Sequence, residues 1–169
     1  MGGVNGAEAL KALYALQEKD LEIDRLRAEA ESLPEELVAL QGQVETLEER
    51  LTNLLERRAE LEREYNRHSL DIEDLSAKEK QAEEEQKRAQ SAREQTQYEN
   101  RIQQIKDRIR ELLELSTPIM EAMENLEAEI AQVEEELAAL RPRLQELLEA
   151  NRARVAELEA AIAASELTP

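Results

Sequence analysis

Gln90-Ser91-Ala92-Arg93-Glu94-Gln95-Thr96-Gln97 is the stretch on which the fold turns. It carries no large apolar side chain. On either side of it, apolar residues recur at spacings of three and four, the pattern of helices that share a seam. Upstream the series runs Ile23, Leu26, Ala30, Leu33, Leu37, Leu40, Val44, Leu47, Leu51 and Leu54. It continues through Arg58, Leu61, Tyr65, His68, Ile72, Leu75, Glu79, Ala82, Gln86 and Ala89, so 16 of 20 seam positions are apolar with Ala and Tyr counted. Downstream it runs Tyr98, Ile102, Ile105, Ile109, Leu112, Ser116, Ile119, Met123, Leu126, Ile130, Val133, Leu137, Leu140, Leu144 and Leu147, and only Ser116 breaks that run of 15. The heptad phase does not carry across the polar stretch, which marks a reversal. A single helix of the whole chain would extend about 250 Å and need a partner along all of it. A chain that doubles back buries its own seam.

The sequence therefore predicts an all-α fold, a long antiparallel two-helix coiled-coil hairpin. Its organisation is a flexible leader over 1–7, a hairpin over 8–165 and a linker start or truncated end over 166–169. Within the hairpin the first arm is 8–90, the tip 91–97 and the second arm 98–165. A turn centred near residue 94 sets Leu75 against Leu112, Leu61 against Leu126, Leu51 against Leu137 and Val44 against Leu144.

Composition agrees. The 169 residues include 40 acidic and 22 basic side chains, a formal net charge of −18, with 37% charged and only 2% aromatic residues. Such a balance suits long helices and offers little for a conventional globular core. Cysteine is absent, so no disulfide or thiolate site arises from these residues. The net charge repels phosphate backbones and anionic lipid. No apolar run of 18 residues is present to span a membrane, and Met1–Gly6 matches neither a signal peptide nor a full myristoylation motif. The expected location is cytoplasmic.

Prolines punctuate the arms. Ser32-Leu33-Pro34-Glu35 reads as a capping box, with Ser32 as N-cap and Glu35 three residues on, so a kink and a new helix are expected at Pro34. Pro118, after Ser116-Thr117, should bend or cap the second arm, giving a hairpin kinked near Pro34 and Pro118. Beyond Pro142 the phase slips through Leu148, Asn151, Val155, Leu158 and Ile162, a four-residue stutter. At the open end Leu10, Leu13, Tyr14 and Leu16 form an apolar face with no partner in the pairing. These residues are expected to dock a missing C-terminal domain or a second chain, as a monomer's own parts or as a homodimer.

The opening Leu10-Lys11-Ala12-Leu13-Tyr14-Ala15-Leu16-Gln17-Glu18-Lys19-Asp20-Leu21-Glu22-Ile23-Asp24-Arg25-Leu26, with Leu33-Pro34-Glu35-Glu36-Leu37, resembles the bacterial coiled-coil hairpin proteins that end in a four-cysteine zinc ribbon. In that family the tip carries an Asn-Lys-Glu-Tyr-like element before an amphipathic helix. Here Glu94-Gln95-Thr96-Gln97-Tyr98, followed by Ile102 and Ile105, keeps only the Tyr. The resemblance implies an adaptor or a protein- or nucleic-acid-binding role, no enzymatic activity, and zinc only in a downstream ribbon. The four cysteines are not in this sequence.

Sites of chemistry are sparse. His68 shares a helix face with Glu64, but one His without Cys lacks the ligands for a transition metal. Runs such as Glu83-Glu84-Glu85 and Glu134-Glu135-Glu136 read as solvated faces with partners at i,i+4, such as Glu83 with Lys87 and Glu84 with Arg88, because acid–base work needs an enclosed pocket. Neither a catalytic residue nor a cofactor is expected. Charge is distributed unevenly: residues 78–110 hold nine basic and seven acidic side chains, net +2, leaving −20 elsewhere. A mildly basic tip on acidic arms points to an interaction or adaptor module that meets a protein partner through Arg93, Gln95, Gln97, Tyr98 and Arg101. The alternatives are an RNA-binding arm of a zinc-ribbon protein and a structural spacer or oligomerisation coiled coil.

Overall fold

The structure, a computed structural model, describes residues 6–167. It is an all-α helical hairpin of three helices: α1 (Gly6–Glu31), α2 (Glu35–Lys87) and α3 (Ala92–Leu167). Residues 1–5 of the expected leader lie outside the described residues. The leader's last two residues, Gly6 and Ala7, already belong to α1. At the other end α3 runs on to Leu167, and Glu166, expected in a linker, is held in the helix beside Arg27, with which it pairs.

The arms divide into two compact units, one of residues up to Thr46 with those from Glu136 onward, the other Leu47–Glu135. In the second unit the core is Leu61, Ala82, Ile102, Ile105, Leu112, Ile119, Ile130 and Val133, all buried and all seam positions. Each fully buried Leu, Ile or Val contributes roughly 1.5–3 kcal/mol. Ser116 is buried among them, and its hydroxyl donates to the Leu112 carbonyl at 2.8 Å, so the one polar break in the second arm is satisfied within its own helix. Thr117 does the same to Leu113 at 3.1 Å. Of the two effects expected of Pro118, a bend or a cap, the cap is absent: α3 continues through it and through Pro142.

The reversal falls earlier than residue 94 and is shorter than 91–97. The last turn of α2 tightens through bonds from the Arg88 amide to the Glu85 carbonyl and from Ala89 to Gln86, both 3.1 Å and three residues back. α3 then starts at Ala92 because Ser91 caps it. The Ser91 hydroxyl accepts from the Glu94 amide at 3.2 Å, and the Glu94 carboxylate accepts from the Gln90 amide at 3.3 Å. This is a capping box shifted by one residue on its return bond. No described residue has positive φ, so the chain reverses without glycine. The earlier turn moves the facing pairs. Arg58 meets Glu127 at 2.9 Å and Lys106 meets Glu79 at 3.8 Å, each three residues short of the position that a turn at 94 assigns.

In the first unit Ile23, Leu37, Leu40, Val44 and Leu137 are buried, and Arg143 of α3 reaches Glu36 of α2 at 2.8 Å. The break between α1 and α2 lies at Ser32–Pro34, and the Pro34 carbonyl accepts the first bond of α2, from Val38, at 3.1 Å. Ser32 is not the N-cap of α2. With Pro34 at that place the Ser32 hydroxyl turns back and donates to the Glu29 carbonyl at 2.9 Å, closing α1 instead. Leu33 leaves the seam and is 54% exposed. The stutter is present: Leu144, Leu148, Asn151, Val155, Leu158 and Ile162 are all half-buried. It also brings Arg154 to the break, where its guanidinium donates to the Glu29 carbonyl at 2.8 Å, the Ser32 carbonyl at 2.7 Å and Asn151 Oδ1 at 2.9 Å. The Ser32 carbonyl is thereby capped from the opposite arm where α1 ends, and the Glu29 carbonyl gains a second donor.

Candidate functional site

The reversal gathers cations. Lys87 closes α2, Arg88 opens the reversal, Arg93 stands in the first turn of α3, and between residues 87 and 93 no carboxylate intervenes. All three side chains are exposed, and among the described residues none makes an ion pair. The expected i,i+4 pairs Glu83–Lys87 and Glu84–Arg88 do not form, whereas Lys106, Arg108 and Arg110 further along α3 are each matched to an acid. Glu94, the nearest anion in sequence, is engaged in the capping box.

Of the residues expected at the tip, Arg93, Gln97 and Arg101 fall at successive four-residue steps along one exposed stripe of α3. Gln95 does not join them. It lies about 160° around the helix from Arg93, and its carbonyl accepts from Gln86 Nε2 of α2 at 3.4 Å. Tyr98 is half-buried at the seam, with the Glu85 carboxylate as its strongest charged influence. Ionising it would set two anions together, so Glu85, then burial and Glu94, hold its pKa above the usual 10.0, against the pull of Arg101. Half-buried, its ring is not a free stacking platform. Lys87 and Arg88 complete the cationic surface, and the count of charges over 78–110 already contained them. None of the five expected residues sits in a loop, because the turn ends before Arg93.

The expected docking face of α1 also separates into two. Leu10, Leu13, Tyr14 and Leu16 are each more than half exposed, as is Leu21. Leu16 lies about 20° around the helix from Ile23, on the side that faces the hairpin seam, whereas Leu10, Tyr14 and Leu21 lie about 140–180° away. Leu13 sits at the edge between the two. Two faces are therefore present where the sequence suggested one.

His68 is half-buried on the seam and forms no ion pair with Glu64. Surface recesses are open grooves, such as the one lined by Tyr65, Met120, Met123, Glu124 and Glu127. Among the described residues no group of three or more His, Cys, Asp or Glu side chains is placed to hold a metal ion. With no cysteine in the sequence, the chain's own residues do not fit the four-thiolate site of a zinc ribbon. No described helix is long and apolar enough to cross a membrane. No family model matches the chain, and comparison with the curated proteins and with the solved structures likewise finds no match.

Proposed function

We propose that this chain is a non-enzymatic interaction module that presents its cationic reversal to an acidic protein surface. The observation that carries this reading is the trio Lys87, Arg88 and Arg93, exposed and without acidic partners, on a chain of net charge −18. Elsewhere the acidic arms repel other anionic surfaces, so an acidic partner is admitted only where the field is locally reversed. Arg93, Gln97 and Arg101 extend the contact along α3. The half-burial of Tyr98 favours a protein over single-stranded RNA, which is held by aromatic stacking as well as by charge. The adaptor role implied by the family resemblance runs in the same direction.

The test is a photo-crosslinking residue at Gln97, in the otherwise unaltered chain and in Lys87→Glu/Arg88→Glu/Arg93→Glu. The unaltered chain should yield a defined protein adduct with an acidic contact surface, lost on charge reversal and restored by reversing acids on the captured protein. An adduct dominated by RNA would transfer the reading to the nucleic-acid arm. Its affinity would then fall with added salt at a slope of about 0.7 per phosphate contact. Equal adducts with both chains would reduce the reversal to a spacer's end.

A further inference from the structure

The outward face of α1 has a geometry that points to its occupant. Stepping back from Ile23 by four, three and four residues reaches Lys19, Leu16 and Ala12, the side on which Lys19 is already half-buried. Any helix continuing the hairpin seam would cover that side. It would leave Leu10, Tyr14, Gln17 and Leu21 untouched, because they recur at spacings of four, three and four on the opposite side. A second seam needs a second helix.

We infer that this second helix is α1 of another copy of the chain, paired antiparallel. The stripe is self-complementary about a two-fold axis between Ala15 and Leu16. Leu10 then meets Leu21 of the other copy at both ends, and Tyr14 meets Gln17 in the two central layers, where the phenol and the amide hydrogen-bond. The flanking charges match as well. Lys11 and Glu18, both exposed, occupy the same flank of the stripe, and the antiparallel arrangement sets each Lys11 beside Glu18 of the other copy. A parallel arrangement puts like residues together and lays the acidic helices that follow Pro34 side by side. The antiparallel one sends those helices off opposite ends of the interface, which matters for a chain of −18. The contact is small for a specific interface, so the dimer forms and dissociates with concentration. This surface is separate from the reversal and does not depend on what binds there.

Sedimentation equilibrium of the full chain at physiological salt tests the pairing. The expected result is a monomer–dimer equilibrium that Leu10→Glu/Leu21→Glu abolishes with helicity unchanged. Lys11→Glu should weaken the dimer about tenfold, and Lys11→Glu/Glu18→Lys should restore it. Glu18→Lys alone should also weaken it, although it brings the net charge from −18 to −16 and so eases general repulsion. If it strengthens the dimer instead, general repulsion governs association and the pairing is wrong. Because the chain has no cysteine of its own, orientation is read directly. A mixture of Leu10→Cys and Leu21→Cys chains should form the mixed disulfide, and neither variant alone should crosslink to itself. A Leu10→Cys homodisulfide, or a chain that stays monomeric at every concentration, overturns the inference and leaves the stripe to a different protein.

Discussion

Arg154→Ala removes a clamp that spans 122 residues of sequence, from α3 to the Ser32 carbonyl where α1 ends. The two bonds to the Glu29 and Ser32 carbonyls, at 2.8 and 2.7 Å, are short and charge-assisted. Bonds of this kind contribute roughly 1.5–3 kcal/mol when fully buried. Here Arg154 is half-buried and both acceptor residues are exposed, so water replaces much of what is lost. The expected cost is about 1–2 kcal/mol for local opening of α1, a roughly 5–30-fold increase in its open population. Lysine cannot offer the same fork of donors, and Arg154→Lys should recover only part of the loss. Amide hydrogen exchange reads this directly. Amides of residues 20–31 should exchange faster by that factor, while those around Ile105 and Leu112 keep their rates. Unchanged exchange in α1 would refute the clamp. Equal acceleration at Leu112 would show that Arg154 acts through overall stability.

Further predictions concern the seam and the turn. Leu112 is 1% exposed and its neighbour Leu113 is 53% exposed, so Leu112→Ala should cost about 2–5 kcal/mol in urea unfolding and Leu113→Ala less than about 0.5 kcal/mol. Removing the helix cap by Ser91→Ala should cost about 0.5–2 kcal/mol, seen as faster exchange of the amides at 93 and 94. Tyrosinate absorbance should show Tyr98 titrating above the usual 10.0, with Glu85→Gln bringing it back down. Because the folded chain holds that proton more tightly than the unfolded one, the contribution is fully present below pH 10 and is lost as pH rises through the folded pKa. A Tyr98 that titrates with an exposed tyrosine would remove the influence of Glu85.

The seam was legible because burial on a helix follows spacing. Every upstream seam position except Leu33 is buried or half-buried, and Leu33 escapes only because the chain leaves the helix at Pro34. The turn lies a few residues before the centre that the heptad phase predicts, for a chemical reason: Ser91-Ala92-Arg93-Glu94 reads as a polar linker, yet its Ser and Glu spacing starts a helix. Ser32 and Glu35 carry the same spacing and do not cap, since Pro34 already occupies the place where the helix begins. Arg154 was beyond reach of any local pattern, because its acceptors lie in the opposite arm. For the site, the basic excess near the reversal was visible in the count of charges. The separation of Gln95 from Arg93 and the influence of Glu85 on Tyr98 needed the positions of the helices.

A reversal only four residues long, from Arg88 to Ser91, acts as a ruler for the helices beside it. One residue added within α3 just after the cap would swing everything downstream by about 100°, turning Ile102, Ile105 and Leu112 toward water. The same addition between Ala89 and Gln90 lies outside both helices and leaves the phase of each unchanged. Growth of these helices is therefore quantised: seven residues gained in one must be matched by seven gained in the other, and a lineage that lengthens the hairpin must do so in paired steps.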